Sequence, residues 1–275
     1  MPETPPDALT GAVWTPNGII RMECKVIETR FGTFMVPTGV ETFLTKMERG
    51  GFELGKLNWF MKACRKYYPE PRNGTFIDVG AHIGTTIIPA FQDESVKRGV
   101  AIEPNPFNAA CLNASLSLSL AAGSVEVIQA ICHEWGGPLQ NLSVNKNHHG
   151  DHRVDGPADW ETLAVRTVAL DDVLEDAAPG WVWIDVQGHE ALVLAGMTGL
   201  MTKFDFPVFM EVFPEGMKER DRLEYLVQEH FEGFIDYARR GQGVQFIEAF
   251  PALVDDLFAT QDVNPMVHTD VLLLT

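Results

Sequence analysis

Cysteine is scarce in this chain of 275 residues: four, at positions 24, 64, 111 and 132, with no C-x-x-C pair. Zinc-ribbon and thioredoxin chemistry therefore lack their ligands. Free thiols in a reducing cytosol are the expectation. No apolar run approaches the roughly 18 residues that a membrane span needs. The opening MPETPPDALTGAVW has neither a basic start nor a long apolar core, so no secretory signal is expected there. Internal repeats and low-complexity tracts are also missing. Positive charge is in short supply: 21 Lys and Arg stand against 38 Asp and Glu, a net charge of −17. The deficit is local, about +1 over residues 1–100 and about −18 over 101–275. A body this acidic repels nucleic acid and anionic membranes, whose binding needs cations. The expected partner is a small or neutral molecule and the expected location is cytoplasmic; oligomeric state is not legible.

What is present describes a globular enzyme-sized chain. Apolar residues make up 45% and charged residues 21%, which excludes wholesale disorder and collagen. The length suits one large α/β domain with an N-terminal addition. Residues 1–18 read as a loose arm. Residues 24–28 and 32–36 form an expected β-hairpin around Thr29-Arg30-Phe31-Gly32. Leu54, Leu57, Phe60, Met61 and Cys64 recur at helical spacing, giving a helix over 53–68, and PEPRNG (69–74) ends it. Together these make an N-terminal arm and cap over 1–72.

From residue 73 onward, strands alternate with helices. Expected strands are 75–79, 99–103, 124–131, 163–170, 181–185, 206–212, 232–238 and 269–275. Expected helices follow Gly84, Pro106, Gln187 and Pro214. Residues 132–162 are polar and loop-like, with one candidate strand at LQNLSV. Asp171-Asp172 open a short helix as caps, and 261–265 is a loop. Such alternation argues for a parallel, doubly wound sheet with crossover helices.

The chemistry concentrates after the first of these strands. TFIDV leads into Gly80-Ala81-His82-Ile83-Gly84, a turn whose glycines let a ligand approach the backbone, before a helix N-terminus that favours anions. The second strand ends in Glu103, placed to accept hydrogen bonds from a ribose diol. The spacing is neither G-x-G-x-x-G nor a phosphate loop. Asp78 repels a pyrophosphate and welcomes a cationic sulfonium or amino group, which favours S-adenosyl-L-methionine over NAD or ATP; its alternative role is a turn cap.

FIDVGAHIG, AIEPNP, VALDDVL, WIDVQGHEALVLAGM and FMEV, in that order, resemble the FkbM family of S-adenosylmethionine-dependent methyltransferases over roughly residues 51–275. The resemblance implies a class I Rossmann-like methyltransferase fold, with a seven-stranded, mostly parallel sheet in the order 3-2-1-4-5-7-6. It implies O-methylation of a hydroxyl, often on a sugar or secondary metabolite. Alternatives are N- or carboxyl-methylation of a peptide or metabolite, a non-catalytic cofactor-binding module, and an NAD-dependent oxidoreductase. It also implies that Asp78, Gly80, Ala81, His82 and Gly84 hold the methionine end and Glu103 the ribose. Pro104 and Asn105 would shape the adenosine pocket, and Ala130 and Ile131 would flank the adenine. Asp185, Gly188, His189 and Glu190 would form the lip where acceptor meets methyl group. Gln187 stands where the family commonly has Glu, and His82 where Asn is frequent.

A hydroxyl acceptor calls for a base or a metal. His189 is the candidate base, because imidazole titrates near neutrality; its alternative is to cap or pack. Asp185 and Glu211, at adjacent strand ends, would orient the hydroxyl, and Mg²⁺ is admitted by the pair but not expected. His148, His149 and His152 resemble metal spacing without a supporting framework; they read as a solvated loop, with a substrate lid as its functional version. Trp181 and Trp183 read as core, and Glu53 as a first-turn helix acid with a cofactor contact as alternative.

Overall fold

The computed structural model describes residues 8–15, 18–39, 41–69, 74–120, 123–145, 147–174, 178–215, 217, 219–264 and 267–275, with 8–15 and 18–22 described as backbone. Strands β1 (Ala8–Thr15), β2 (Gly18–Thr29) and β3 (Gly32–Pro37) form an antiparallel sheet. The hairpin is thus where the alternation puts it. The segment read as a loose arm instead supplies β1, whose proline-flanked, glycine-interrupted sequence carries too weak an alternation to announce a strand. Helices α1 (Glu41–Glu48) and α2 (Leu54–Tyr67) follow; the boundary expected at residue 72 falls in 70–73, outside the described residues.

The main sheet takes β4 (Thr75–Val79), β5 (Arg98–Ile102), β6 (Val125–Ile128), β11 (Trp181–Ile184), β12 (Val208–Val212), β13 (Gly233–Asp236), β14 (Gln245–Phe246) and β15 (Thr269–Leu274). Their order across the sheet is β14-β13-β15-β12-β11-β4-β5-β6. β6, β5, β4, β11 and β12 pair in parallel, and β15 runs antiparallel to both β12 and β13. Counted in chain order within the sheet, this is 3-2-1-4-5-7-6, extended at its edge by β14. Eight strands therefore replace the expected seven. The addition is a two-residue ribbon, too short to show a period.

Between these strands lie α3 (Ile87–Ala90), α4 (Pro106–Ser119), α5 (Leu170–Leu174), α6 (Glu190–Ala195), α7 (Thr198–Lys203), α8 (Arg220–His230) and α9 (Phe250–Gln261). Several depart from the sequence reading. The helix after Gly84 is one turn long. The helix expected over 187–200 breaks at Gly196-Met197, because a Cβ at Gly196 would sit 2.1 Å from the His133 carbonyl oxygen. Asp171 caps α7 rather than its own helix, accepting from the Gly199 and Leu200 amides at 2.9 Å each. α9, unassigned in the sequence, buries Phe250, Leu253, Val254 and Leu257.

A second sheet arises from the stretch read as loop. β7 (Ile131–Cys132), β8 (Leu139–Val144), β9 (Arg153–Val154) and β10 (Glu161–Val168) pair in the order β7-β10-β8-β9. The strand expected over 124–131 is cut at Gln129, so that Ile131 leaves the main sheet for this one. A small core of Ile131, Leu142, Leu163 and Val165 holds it.

Strand alternation sorts the core into two layers. Ile77, Val79, Val182, Ile184, Val208 and Met210 face α6–α9. Phe76, Trp181, Trp183 and Phe209 face the N-terminal segment, with Phe60 of α2 against all four at ring separations of 5.5–6.3 Å. Trp183 stacks on Phe209 at 4.0 Å, so both tryptophans are core, as read.

Candidate functional site

Where the parallel strands end, a cleft of about 550 Å³ opens. Open α/β sheets bind ligands at this edge. One wall comes from the β4 and β5 ends: Val79, Gly80, His82, Ile102, Glu103 and Pro104. Ala130, Ile131 and Cys132 close it beyond β6. Asp185, Val186, Gln187 and His189 follow β11, and His149, Gly150 and His152 come from the second sheet. A second hollow of about 500 Å³ continues past Val154, Gln187 and His189, which line both.

Of the residues named from sequence, Gly80, His82, Glu103, Pro104, Ala130, Ile131, Asp185 and His189 line the cleft. Asp78, Ala81, Gly84, Asn105 and Glu211 do not. Asp78 is 1% exposed, turned by strand parity toward the α3 side. Ala81 and Gly84 shape the turn, and the Asn105 side chain caps α4 by accepting from the Phe107 and Asn108 amides. Gly80, at φ 88°, is obligatory: a Cβ there would lie 1.8 Å from the Asp185 carbonyl oxygen.

Glu103 ties the two turns together. One carboxylate oxygen accepts from the His82 amide at 2.8 Å, the other from the Asn105 amide at 2.9 Å and the Asn108 side chain at 3.4 Å. Asn108 also donates to the His149 carbonyl at 2.9 Å, which pins the histidine loop over the cleft. That loop is only in part the solvated segment read from sequence: Asn147, His148 and Gly150 are exposed, whereas His149 is buried and His152 Nδ1 accepts from the Asn145 amide.

Beside Asp185 lies a polar cluster that the sequence conceals, since its members come from four elements. Gln187 donates through its side-chain nitrogen to Asp185 at 2.7 Å and to Glu211 at 2.8 Å. Lys56 bridges Glu53 at 2.9 Å and Asp270 at 2.9 Å. Gln187 thus does something a glutamate could not do while ionised: it donates to both carboxylates at once. Glu53 precedes α2 and acts as this ion-pair partner. His189 opens α6 without a side-chain cap bond. It packs 5.2 Å from His133, which packs 4.6 Å from the half-exposed Trp135.

Backbone strain gathers at the same place. Among the described residues, Glu53, His82, Asp155 and Gln187 are the non-glycine residues with positive φ, from 48° to 55°. His82 and Gln187 line the cleft, Asp155 lines the hollow, and Glu53 belongs to the cluster. Such conformations cost of order 1–3 kcal/mol each and gather at functional sites.

The electrostatics are those of an anionic well. Burial pushes Asp78 well above the usual carboxylate range, helped by Asp185, Glu103 and Glu53; no hydrogen bond of normal geometry reaches either of its oxygens. Burial raises Glu103 to about 7, against the amides it accepts from. Burial raises Asp185, opposed by Gln187 and Lys56, and burial with Asp185 raises Glu211 further. Glu190 is lifted to about 7 by burial. Lys56 keeps its proton: burial opposes the charge, but Glu53 and Asp270 outweigh it. Burial lowers His82 to about 3 and His152 to about 4.

These shifts set a stability profile. Between pH 3 and 6.5 the unfolded chain binds protons that native His82 and His152 refuse, which raises stability with pH, while from about pH 4.5 upward native Glu103 and Glu190 hold protons that unfolded carboxyls lose, which opposes that rise. Above 6.5 the histidine contribution is complete. There Glu103 and Glu190 still hold protons that unfolded carboxyls have lost, and stability falls as they ionise. The melting temperature of the ligand-free protein is therefore expected to decline from pH 6.5 to 8. A profile still rising across that window would remove the buried, protonated carboxyls from the description.

The sheet order and the strand-end cleft are those of a Rossmann-like α/β fold. Residues 78–260 match the methyltransferase FkbM domain, and the chain belongs to that family. Curated proteins give no significant match. Among solved structures, the chain is similar to the methyltransferase FkbM of Methylobacillus flagellatus KT, at 18% identity and TM-score 0.39, over 57% of this chain and 37% of that one. It is also similar to the Geobacter metallireducens precorrin-6y C5,15-methyltransferase, at 10% identity and TM-score 0.41, over 82% and 93% of the two chains. A third likeness, to M. jannaschii TYW2 in complex with AdoMet, has 14% identity and TM-score 0.42, over 91% and 84%. The chain thus spans little more than a third of the first of these. No helix among the described residues is long and apolar enough to cross a membrane.

Proposed function

We propose that the chain transfers the methyl group of S-adenosyl-L-methionine to a hydroxyl of a small molecule, with a sugar or secondary metabolite as acceptor. The observation that carries this is the anionic well. Burial first, and Asp185 beside them, raise the proton affinity of Asp78, Glu103 and Glu53, and the buried Asp78 carboxyl lacks a normal hydrogen bond. A ligand bearing sulfonium and ammonium charges relieves that repulsion, whereas a pyrophosphate aggravates it. The donor set therefore fits S-adenosylmethionine and disfavours NAD.

Gly80 and His82 would face the methionine end, Glu103 the ribose hydroxyls, and Pro104, Ala130 and Ile131 the adenine. When bound, the cofactor supplies a methyl group already activated by its cationic sulfur. The remaining work belongs to the protein: to align the acceptor oxygen, exclude water and take one proton. Asp185, steadied by Gln187, orients the hydroxyl. Glu211 supports Asp185 from behind Gln187 rather than meeting the acceptor. His189, which lines the cleft beside Asp185, takes the hydroxyl proton.

Mass spectrometry of a metabolite extract incubated with methyl-labelled cofactor tests the activity. A labelled product is expected, and its formation in EDTA would exclude a metal at Asp185 and Glu211. Titration with S-adenosylhomocysteine and with NAD separates the oxidoreductase reading. Glu103→Ala is expected to weaken S-adenosylhomocysteine binding by about 1–3 kcal/mol, the scale for charge-assisted hydrogen bonds. Unchanged affinity in a folded variant would take Glu103 out of the ribose site.

A further inference from the structure

Two thiols meet between the N-terminal sheet and α4, away from the cleft. Cys24 of β2 and Cys111 of α4 are 2% and 3% exposed, and their sulfur atoms lie 3.9 Å apart. They are 87 positions apart in sequence, so only the tertiary fold brings them together. Neighbouring contacts hold the pair in place. Cys24 stands opposite Pro37 on the β2–β3 ladder. Ser115 and Ser119, one and two turns beyond Cys111, accept from the Met35 and Thr33 amides of β3. The hydrogen bond from Cys111 holds the Cys24 thiol below its ordinary value, against burial, and raises Cys111 in turn. Cys24 is therefore the sulfur that more readily becomes a thiolate, the nucleophilic form. Cys64 and Cys132 are also buried, but burial only raises their thiols, Cys132 to about 12. Cys132 moreover sits in the opposite core layer from the other three.

We propose that Cys24 and Cys111 form an oxidation site, at which a peroxide closes a reversible disulfide between the N-terminal sheet and α4. The Cys24 thiolate attacks one peroxide oxygen and the O–O bond breaks. Cys24 becomes a sulfenic acid, and the departing hydroxide takes the proton that Cys24 released, giving water. The Cys111 sulfur then attacks the Cys24 sulfur. The S–S bond forms, the S–O bond breaks, and the hydroxyl leaves with the Cys111 proton as a second water. The two sulfurs together lose two electrons, which reduce the peroxide. Closure brings the sulfurs together by about 1.9 Å. Hydrogen peroxide is small and uncharged, so local opening of the sheet from α4 admits it. A dithiol reverses the bond by exchange. The consequence is a covalent tie between β2 and the helix that frames the cleft through Asn105 and Asn108. The site does not depend on the methyl acceptor or on the cofactor.

The test treats the full chain with hydrogen peroxide under native conditions, then denatures it, alkylates it with iodoacetamide and maps it by mass spectrometry. The expected product has lost about 2 Da, two hydrogens. It carries alkylated Cys64 and Cys132 and one peptide that joins Cys24 to Cys111. Dithiothreitol should restore all four thiols. The melting temperature of the cross-linked chain is expected to rise by about 5–15 °C, because the bond closes a long loop. Cys111→Ala should show no such rise after the same treatment. Four alkylated thiols after peroxide, a cross-link through Cys64 or Cys132, or Cys24 ending about 32 Da heavier as a sulfinic acid would each overturn the site. So would a cross-linked chain that melts no higher than the reduced one, since the bond would then not fit the native fold. The peptide map on the parent chain decides the matter even if Cys111→Ala does not fold.

Discussion

A chain beginning at residue 73 is expected to be insoluble or to lack a cooperative unfolding transition. The first 72 residues look like an appendage in sequence, yet in the structure they supply half of a core. Phe34, Val36, Phe43, Met47, Leu57, Phe60 and Met61 are each at most 5% exposed, and they cover Phe76, Trp181, Trp183 and Phe209 on one face of the main sheet. Ser115 and Ser119 of α4 accept from the Met35 and Thr33 amides of β3, Ser119 donates to the Thr33 carbonyl and Ser115 to the Cys111 carbonyl, tying the helix to the N-terminal sheet. Burying one large apolar side chain is worth about 1.5–3 kcal/mol. Seven such losses match or exceed the whole stability of a typical domain, about 5–15 kcal/mol. Lys56 would go as well, leaving Asp270 and Asp185 without their cation. Circular dichroism and thermal melting of residues 73–275 check this. A sharp melt with S-adenosylhomocysteine binding intact would show the N-terminal segment to be a dispensable cap.

The parallel half of the sheet was legible because its strands are short, apolar and bounded by glycine or proline. TFIDV, GVAI, WVWI and VFMEV leave no competing period. The cleft lip was legible for the same reason, since residues just past such strands must lie at the carboxyl edge. Two kinds of feature were not. Pieces with little local signal, namely β1, β14 and the β7–β10 sheet, form because tertiary partners accept them. Ile131 illustrates this: it continues the apolar run of β6, but packs with Leu142, Leu163 and Val165 in another sheet. Contacts assembled from distant segments were equally hidden. Lys56 reaches Asp270 across 214 positions, and Asn108 reaches the His149 carbonyl across 41.

Side-chain direction was the other loss. Asp78 and Glu103 both end apolar strands beside the turn, and both read as cofactor contacts. Parity sends Asp78 beneath the turn and Glu103 over it. Asp78 then acts through its field, whereas Glu103 lines the cleft. Gln187 shows the opposite error. Read only as a departure from the family's usual Glu, it is the donor that holds Asp185 and Glu211 together.

His189→Ala is expected to lower kcat at least about tenfold, within the 10²–10⁴-fold reach of general-base catalysis, while cofactor affinity stays near that of the parent. His189 lines both the cleft and the hollow, so it lies between methyl donor and acceptor whichever lobe each occupies. It makes no side-chain cap bond to α6 and packs on His133. His189→Asn separates the two roles, because it keeps a side chain against His133 but cannot take a proton near neutrality. Equal loss in both variants assigns the effect to the base; recovery in His189→Asn assigns it to packing. The pH–rate profile adds a second readout. Glu103 and Glu190 also titrate at about 7, so a limb near neutrality in the parent does not by itself name its owner. Loss of that limb in His189→Asn does. If both variants turn over normally with the true acceptor, alignment by Asp185 carries the reaction. If EDTA abolishes the parent activity and Mg²⁺ restores it, a metal at Asp185 and Glu211 replaces the histidine as the group that activates the hydroxyl.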